Sequence, residues 1–271
     1  MAPATYAFER RGALPVLTFP LLGGFPVDVV VTTRAGGVSR GPYAELNLGL
    51  HVGDDPAAVI ANRARGAAAL GLCLDEMIFA NQVHGSVVAE VGRSDRGRGA
   101  RGMGDALDGV DALVTRDPGV GLAVLVADCA PIALYDPVGH ALAAVHSGWR
   151  GAVGKVAAAA VDALAAGGVR REDILAVIGP AVPEDRYQVG ADVAAAAAAA
   201  FGPDTARVLR PDGSDRWRFD VWAANEQVLT GAGLVRGHVA IARVGTGGGT
   251  ELFSDRAERP CGRFGLLGVL R

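Results

Sequence analysis

The stretch Leu122–Gly151, LAVLVADCAPIALYDPVGHALAAVHSGWRG, decides the fold. It contains three short apolar runs, Leu122–Ala127, Ile132–Tyr135 and Ala141–Val145, punctuated by Asp, Pro and Gly. Runs of this length are too short for three helical turns and are rich in Val, Leu and Ile, so they predict buried strands. Asp136–Gly139 has the composition of a turn between the second and third strands. We therefore expect the core to be built from these strands.

The polar side chains of this stretch fall where the apolar runs stop. Asp128 and Cys129 follow the first run, and His146 ends the third one, just before the glycine-flanked Trp149 and Arg150. Groups at the ends of rigid strands are held in fixed positions, and a thiol beside an imidazole is a common reactive pair. We therefore expect Cys129 and His146 to share one site.

Composition limits the class of protein. Half of the 271 residues are hydrophobic and 20% are charged, which is ordinary for a globular protein. The 26 basic and 29 acidic side chains leave a net charge of −3, which argues against binding to nucleic acid or to an anionic membrane. No apolar run is long enough to span a bilayer, because Asp128 and Asp136 interrupt the longest one.

Cysteine usage bears on the compartment. The three cysteines, Cys73, Cys129 and Cys261, are too widely separated to indicate a disulfide framework, and Cys73 reads as a small apolar filler. The first residues also lack the charged-then-apolar layout of a secretory signal. Both features favour the reducing cytoplasm.

Outside the central stretch, short β-branched runs alternate loosely with helical segments. Val27–Thr33 predicts a strand, and a helix is predicted from Pro56 to about Leu70 because Asp55 is a good N-cap before a proline. Another helix is predicted over Val153–Ala166. The loose alternation predicts an α+β (mixed α/β) fold, a single domain over residues 1–271 with mixed β-sheets flanked by helices.

Three segments carry weaker signals. Arg93–Gly104, RSDRGRGARGMG, is predicted to be a mobile insertion, because its glycines and arginines offer nothing to bury. Residues 1–26 give no clear pattern, and Arg210–Arg216 reads as a polar link.

The histidines divide into structural and reactive candidates. The chain has five, His51, His84, His140, His146 and His238. His140 in a turn and His238 at a strand start favour structural roles, whereas His84 lies in a polar loop between two strands. With Cys129 and His146, His84 would make a good zinc set that leaves the fourth tetrahedral position open. The wide spacing does not decide between a metal site, a metal-free Cys–His nucleophile pair and an inert buried thiol.

Three further residues are candidate substrate contacts. Arg150 and the amides of Ser147–Gly151 lead into a helix, and helix starts attract anions such as phosphate; a surface arginine that caps a turn explains them equally well. Arg34 and Asn47 lie in glycine-flanked loops, where side chains can face a ligand.

Seven segments together resemble one family. They are Thr33–Ser39 (TRAGGVS), Leu46–Gly49 (LNLG), His51–Asp55 (HVGDD), Asn81–Gly85 (NQVHG), Asp111–Thr115 (DALVT), Ala127–Cys129 (ADC) and Ala144–Gly151 (AVHSGWRG). In this order they are similar to the YfiH-like, laccase-domain family. Arg186–Gly190 (RYQVG) and Leu252–Arg256 (LFSDR) correspond to further family segments with substitutions.

The resemblance implies a zinc-dependent purine nucleoside phosphorylase that acts on adenosine, inosine, guanosine and methylthioadenosine with phosphate, and that also deaminates adenosine. It implies His84, Cys129 and His146 as the metal ligands. Some members are described as multicopper or polyphenol oxidases. Five histidines are too few for a four-copper laccase and allow only a single-metal site; the metal that the resemblance implies there is zinc, with copper as the second choice.

The remaining roles follow from position in this scheme. Arg150 would hold the phosphate, and Asp128, beside the Cys129 thiolate, would orient a histidine or transfer a proton. The expected partners are a purine nucleoside and phosphate, and the chain is expected to be a monomer or a weak homo-oligomer. The alternatives are a Cys–His hydrolase that edits peptidoglycan precursors, with Cys129 as nucleophile and His146 as base, and a zinc protein without turnover.

Overall fold

The structure is a computed structural model that describes residues 4–271. Its strands are β1 (Ala7–Arg11), β2 (Leu14–Thr18), β3 (Val27–Thr32), β4 (Met77–Asn81), β5 (Val88–Glu90), β6 (Leu107–Asp108), β7 (Ala112–Thr115), β8 (Gly121–Val126), β9 (Ala130–Asp136), β10 (Ala141–Ser147), β11 (Leu175–Ile178), β12 (Gln188–Val189), β13 (Leu209–Pro211), β14 (Trp217–Phe219), β15 (Val239–Ile241) and β16 (Phe264–Leu270). The α-helices are α1 (Pro56–Ala69), α2 (Trp149–Val153), α3 (Val156–Ala165), α4 (Ala191–Phe201) and α5 (Val221–Gly231).

The strands form three sheets. A seven-stranded sheet has the order β1-β2-β3-β16-β8-β4-β6, and a six-stranded sheet has the order β15-β11-β9-β10-β7-β5. A small sheet, β12-β14-β13, completes the set. Most neighbours are antiparallel, but four pairs are parallel: β4 with β6, β4 with β8, β5 with β7 and β11 with β15. The predicted α+β fold with mixed sheets flanked by helices is confirmed.

The two large sheets pack face to face, and helices cover both outer faces. Along β8, Leu122 and Val124 point into the core between the sheets, whereas Ala123 and Leu125 pack towards α1. β9 and β10 alternate in the same way between that core and helices α3 and α5. Because both faces of each strand are covered, these strands read as continuous apolar runs without polar alternation.

The three central runs are divided between the two sheets. The second and third form the β9–β10 hairpin, with His146 opposite Pro131, whereas the first is β8 of the other sheet. The chain therefore crosses from one sheet to the other at Asp128 and Cys129. This crossing places the thiol at the edge where both sheets end.

Both helix predictions are confirmed, the second with a later start. α1 begins at Pro56, and the Asp55 carboxylate accepts a hydrogen bond from the amide of Ala57 at 3.0 Å. The helix predicted over Val153–Ala166 is α3, which begins at Val156, whereas Val153 is the last residue of the short helix α2. Lys155 takes a left-handed conformation (φ 59°) between them, which breaks the helical hydrogen-bond ladder.

The mobile insertion predicted at Arg93–Gly104 is wrong. Ala100 is fully buried, and the carbonyl of Arg98 accepts a hydrogen bond from the amide of Phe79 in β4. The buried guanidinium of Arg63 in α1 donates to the carbonyls of Gly99 and Ala100. The sequence offered few side chains to bury, but here it is the backbone that is buried and bonded.

Three smaller expectations also differ from the structure. Residues 7–18 of the patternless N-terminal segment form the β1–β2 hairpin at the edge of the large sheet. Leu209–Pro211 of β13 extends into the predicted polar link and pairs with β14. Cys73 is exposed rather than a filler. Among residues 4–271, no helix is both long and apolar enough to cross a bilayer.

Candidate metal centre

Three side chains from distant parts of the chain meet at one edge of the sandwich. His84 lies in the loop between β4 and β5, Cys129 in the crossing from β8 to β9, and His146 near the end of β10. One ligand atom from each lies within 4.8 Å of the other two, and the imidazole centroids are 4.7 Å apart. In the described range, this is the only such group of three or more His, Cys, Asp or Glu side chains.

The loop that carries His84 is clamped to the end of β8. The side-chain amide of Gln82 donates to the carbonyl of Leu125 and accepts from the amide of the same residue, both at 2.8 Å. This pair of bonds extends the β4–β8 pairing beyond the last ladder residue. His84 is therefore held beside the start of the crossing that contains Cys129.

Gly148 leaves room for the thiol. A Cβ at this position would lie 2.5 Å from the Cys129 Sγ and 3.7 Å from the Cδ2 of His84. Real Cβ atoms essentially never approach another atom as closely as 2.5 Å. The family-like segment Ala144–Gly151 therefore has a glycine here for a steric reason.

Asp111, just before β7, ties two of the three side chains together. Its Oδ1 accepts hydrogen bonds from His146 Nδ1 at 2.8 Å and from the amide of His84 at 3.0 Å. Its Oδ2 accepts from the amides of Val83 and Gly85. These bonds hold His84 at a φ of 61°, and they direct the Nε2 atom of His146 towards the site.

Charge in the cluster favours the thiolate. Burial alone would raise the pKa of Cys129, but the adjacent His146, helped by His84, lowers it well below the usual thiol value. Burial likewise opposes protonation of His146, yet Cys129 and Asp111 raise its pKa. The pair therefore favours the ionised sulfur, which is the form that binds a metal.

This donor set fits a zinc ion. A thiolate and two imidazoles are ligands that Zn²⁺ prefers, and three protein ligands leave a fourth position for water or substrate. The hydrogen bond from His146 Nδ1 to a carboxylate is the usual support for a metal-binding histidine. The cluster can thus hold a metal ion.

The cluster opens onto a cavity of about 700 Å³, a size in the range of small-molecule sites. His51 and Gln82 line one part of it, while Trp149 and Tyr187 contribute aromatic surface. Burial and the nearby Cys129 raise the pKa of Tyr187, so its hydroxyl stays neutral. Burial, and then Arg263, lower the pKa of His51.

Asp128 lines the cavity, but its carboxylate does not reach a histidine. Oδ1 accepts hydrogen bonds from the hydroxyls of Thr246 and Ser254 at 2.6 Å, and Oδ2 accepts from the amide of Arg256 at 2.7 Å. The residue holds the loop after β15 against the crossing. The predicted orienting role belongs by geometry to Asp111.

Of the three predicted substrate contacts, only Arg150 lies at the cavity. Arg150 lines the cavity, and its guanidinium stacks on the Trp149 ring at 4.5 Å. Arg34 lies outside the cavity lining, where it forms an ion pair with Glu258 at 3.2 Å. Asn47 is fully buried and bonds the backbone of neighbouring loops, so the structure does not support a substrate contact for it or for Arg34.

Sequence reasoning did not single out four residues near the cavity. Asp111 and His51 lie in the DALVT and HVGDD segments, and Tyr187 and Arg256 lie in the RYQVG and LFSDR segments. Their membership in these family-like segments is a sequence signal for a functional role. Their convergence depends on sheet pairing and on the loop after β15, which no local pattern reveals.

Comparisons with known proteins identify relatives of this chain. Residues 28–271 match the family described as multi-copper polyphenol oxidoreductase laccase. The chain is 43% identical over 221 residues to a purine nucleoside phosphorylase of Deinococcus radiodurans, covering 82% of this chain and 80% of that protein. It is 36% identical over 208 residues to adenosine deaminase RL5 from an unknown prokaryotic organism, covering 77% and 79% of the two chains.

A solved structure has the same fold as this chain. The crystal structure of the hypothetical protein YfiH from Bacillus licheniformis matches with a TM-score of 0.93 and 31% identity, covering 97% of this chain and 99% of that chain. The match of sequence and fold over nearly the whole chain confirms the YfiH-like resemblance. This chain belongs to the family of multi-copper polyphenol oxidoreductase laccases.

Proposed function

We propose that this protein is a zinc-dependent purine nucleoside phosphorylase with His84, Cys129 and His146 as the metal ligands. The observation that carries the proposal is the convergence of these three side chains at the wall of a cavity of about 700 Å³. The name of the Deinococcus radiodurans relative supports the reaction class. The donor set supports zinc ahead of copper, because one thiolate and two imidazoles suit a tetrahedral site with an open position.

In phosphorolysis, a phosphate oxygen attacks C1′ of the ribose and the bond from C1′ to N9 of the purine breaks. The base leaves with the electron pair and takes up a proton, so the products are the free base and ribose 1-phosphate. A bound zinc ion would supply a Lewis acid for charge that develops on the substrate. Asp111 keeps His146 oriented, and the neutral hydroxyl of Tyr187 can donate a hydrogen bond into the cavity.

Adenosine deamination is a second reaction that the same site supports. In this reaction water adds to the purine carbon that carries the amine, and ammonia leaves. A zinc ion held by His84, Cys129 and His146 would supply the Lewis acidity that activates water for this addition. The name of the relative RL5 supports it as well.

The test is product analysis with protein of measured metal content. The zinc-loaded protein, incubated with inosine and phosphate, is expected to form hypoxanthine and ribose 1-phosphate in equal amounts, and to form neither without phosphate. Chelation and Cys129→Ala should each abolish the reaction. Absence of product from fully loaded protein with all four expected nucleosides would refute the proposal.

The same assay separates the alternatives. A metal-free Cys–His hydrolase would keep its activity after chelation and would be inactivated by alkylation of Cys129. A polyphenol oxidase would consume oxygen with a catechol only after copper loading. Elemental analysis of the purified protein assigns the ion.

A further inference from the structure

The cavity contains two arginines whose charge is not neutralised within residues 4–271. Arg150 and Arg256 both line the cavity, and neither guanidinium donates a hydrogen bond to, or pairs with, a carboxylate or other acceptor in this range. Arg259 and Arg263 also line it, but they share the carboxylate of Asp255, at 2.8 Å and 3.1 Å. The cavity therefore has two positive charges to offer an incoming anion.

Both unpaired guanidiniums are stacked on aromatic rings. The Cζ of Arg150 lies 4.5 Å from the Trp149 ring centre, and that of Arg256 lies 5.1 Å from the Tyr187 ring centre. Trp149 and Tyr187 pack against the same hydrophobic core, and both rings line the cavity. Stacking holds each guanidinium flat while the N–H groups at its edge remain available for an acceptor.

Both arginines are linked to the candidate metal ligands through neighbouring residues in the chain. The backbone amide of Arg256 bonds the carboxylate of Asp128, which is adjacent to Cys129. Arg150 follows His146 by four residues, at the start of α2. Because α2 has only five residues, the side chains provide a better anion site than its N-terminus does.

We propose that the phosphate co-substrate binds between the guanidiniums of Arg150 and Arg256. The assignment rests on the proposed phosphorolysis. Arginine pairs bind phosphate oxygens through charge-assisted, often bidentate hydrogen bonds. The part of the cavity lined by His51 and Gln82 would remain for the nucleoside.

The test is steady-state kinetics with each substrate varied in turn. Arg150→Met and Arg256→Met are each expected to raise the KM for phosphate by about tenfold or more, because each removes charge-assisted hydrogen bonds to the anion. The KM for inosine should change less than threefold, and zinc content should stay at the wild-type value. Calorimetric titration with inorganic phosphate should show weaker binding in both variants.

Arg259→Gln is the matched control, since it removes the same charge from the same cavity at a position paired with Asp255. It is expected to change the KM for phosphate less than threefold. An equal rise in the KM for phosphate in Arg259→Gln would overturn the assignment, because the overall positive charge of the cavity would then explain the effect. A wild-type phosphate KM in both Arg150→Met and Arg256→Met would overturn it as well.

Two further outcomes distinguish failure of the proposed function from failure of the phosphate assignment. If the wild-type protein forms no product with phosphate, the proposed function itself fails. The pair could also hold the 5′-phosphate of a nucleotide, and inosine 5′-monophosphate tests this. If the variants weaken binding of this nucleotide but not of inorganic phosphate, the assignment to the co-substrate is wrong.

Discussion

Asp111 is the residue that joins two of the proposed ligands. All four groups that bond its carboxylate are N–H donors: Nδ1 of His146 and the amides of residues 83–85. Asp111→Asn would direct an NH₂ group at one or more of these donors. We expect zinc affinity to fall by on the order of 10- to 100-fold, the usual cost of removing such a partner. Competition with a chromophoric chelator measures this change.

Asp128→Asn is the control for this prediction. Asp128 also accepts three hydrogen bonds and is adjacent to Cys129, but it contacts neither histidine. We expect this variant to lose stability while its zinc affinity changes less than in Asp111→Asn. Equal losses of affinity in the two variants would contradict the positioning role of Asp111.

Gly148 permits a second prediction at the same scale. In Gly148→Ala the added methyl would meet the Cys129 Sγ at 2.5 Å, so the thiol must move away from the two imidazoles. We expect less than one zinc per chain by elemental analysis. Gly231→Ala at the end of α5 is the control, because a Cβ there meets nothing within 4 Å. Full zinc occupancy in Gly148→Ala would show that the crossing loop adjusts without cost.

These residues also show what a sequence can reveal about a site. Cys129 and His146 can be predicted from their positions at strand ends, and His84 from its polar loop and its family-like segment. For the orienting carboxylate, the sequence favours Asp128, because it precedes Cys129. The true contact is made by Asp111, 35 residues before His146 in the chain, because β7 pairs with β10. Strand pairing brings together residues that are distant in the chain, so the sequence around either residue does not reveal this contact.

At the scale of elements, α1 holds the Arg93–Gly104 segment and the loop before His51 together through one side chain. Arg63 is 1% exposed and donates to the carbonyls of Leu48, Gly99 and Ala100. Arg63→Met would leave three buried acceptors without a donor. At about 1 kcal/mol or more for each, we expect a loss of roughly 3 kcal/mol in the free energy of unfolding.

Urea unfolding measures this loss, and Arg65→Met on the same helix is the control. Arg65 is exposed and bonds only the carbonyl of Gly36, so its removal should cost less than about 1 kcal/mol. If Arg63→Met lowers the free energy of unfolding no more than the control does, the prediction is wrong, and water must bond the three carbonyls in place of the guanidinium. The segment would then be held by β4 alone.

The elements differ in how far the sequence predicts them. β8, β9 and β10 are covered on both faces, so their composition alone identified them. The order of the Arg93–Gly104 segment cannot be predicted from its composition, because it comes from backbone hydrogen bonds and from Arg63, which lies 30 residues before its start. The break at Lys155 cannot be predicted either, because a left-handed lysine has no distinctive local signal.

At the scale of the whole molecule, the proposed zinc site connects the two large sheets. His84 follows β4 of the seven-stranded sheet, His146 lies in β10 of the six-stranded sheet, and Cys129 lies in the crossing between them. A ligand that binds only the folded state adds RT ln(1 + [L]/Kd) to its stability. Zinc at about 1,000 times its Kd would add roughly 4 kcal/mol.

This linkage predicts the effect of removing the metal. For a chain of this size, roughly 4 kcal/mol corresponds to a fall in Tm of roughly 10 °C on chelation, measured by scanning calorimetry at one fixed rate. Cys129→Ala should melt at the same temperature with and without chelator, since it has lost the thiolate ligand. An unchanged Tm in wild-type protein shown to be free of metal would mean that the ion does not link the sheets. In that case Asp111 and the Gln82 clamp would hold the edge of the sandwich by themselves.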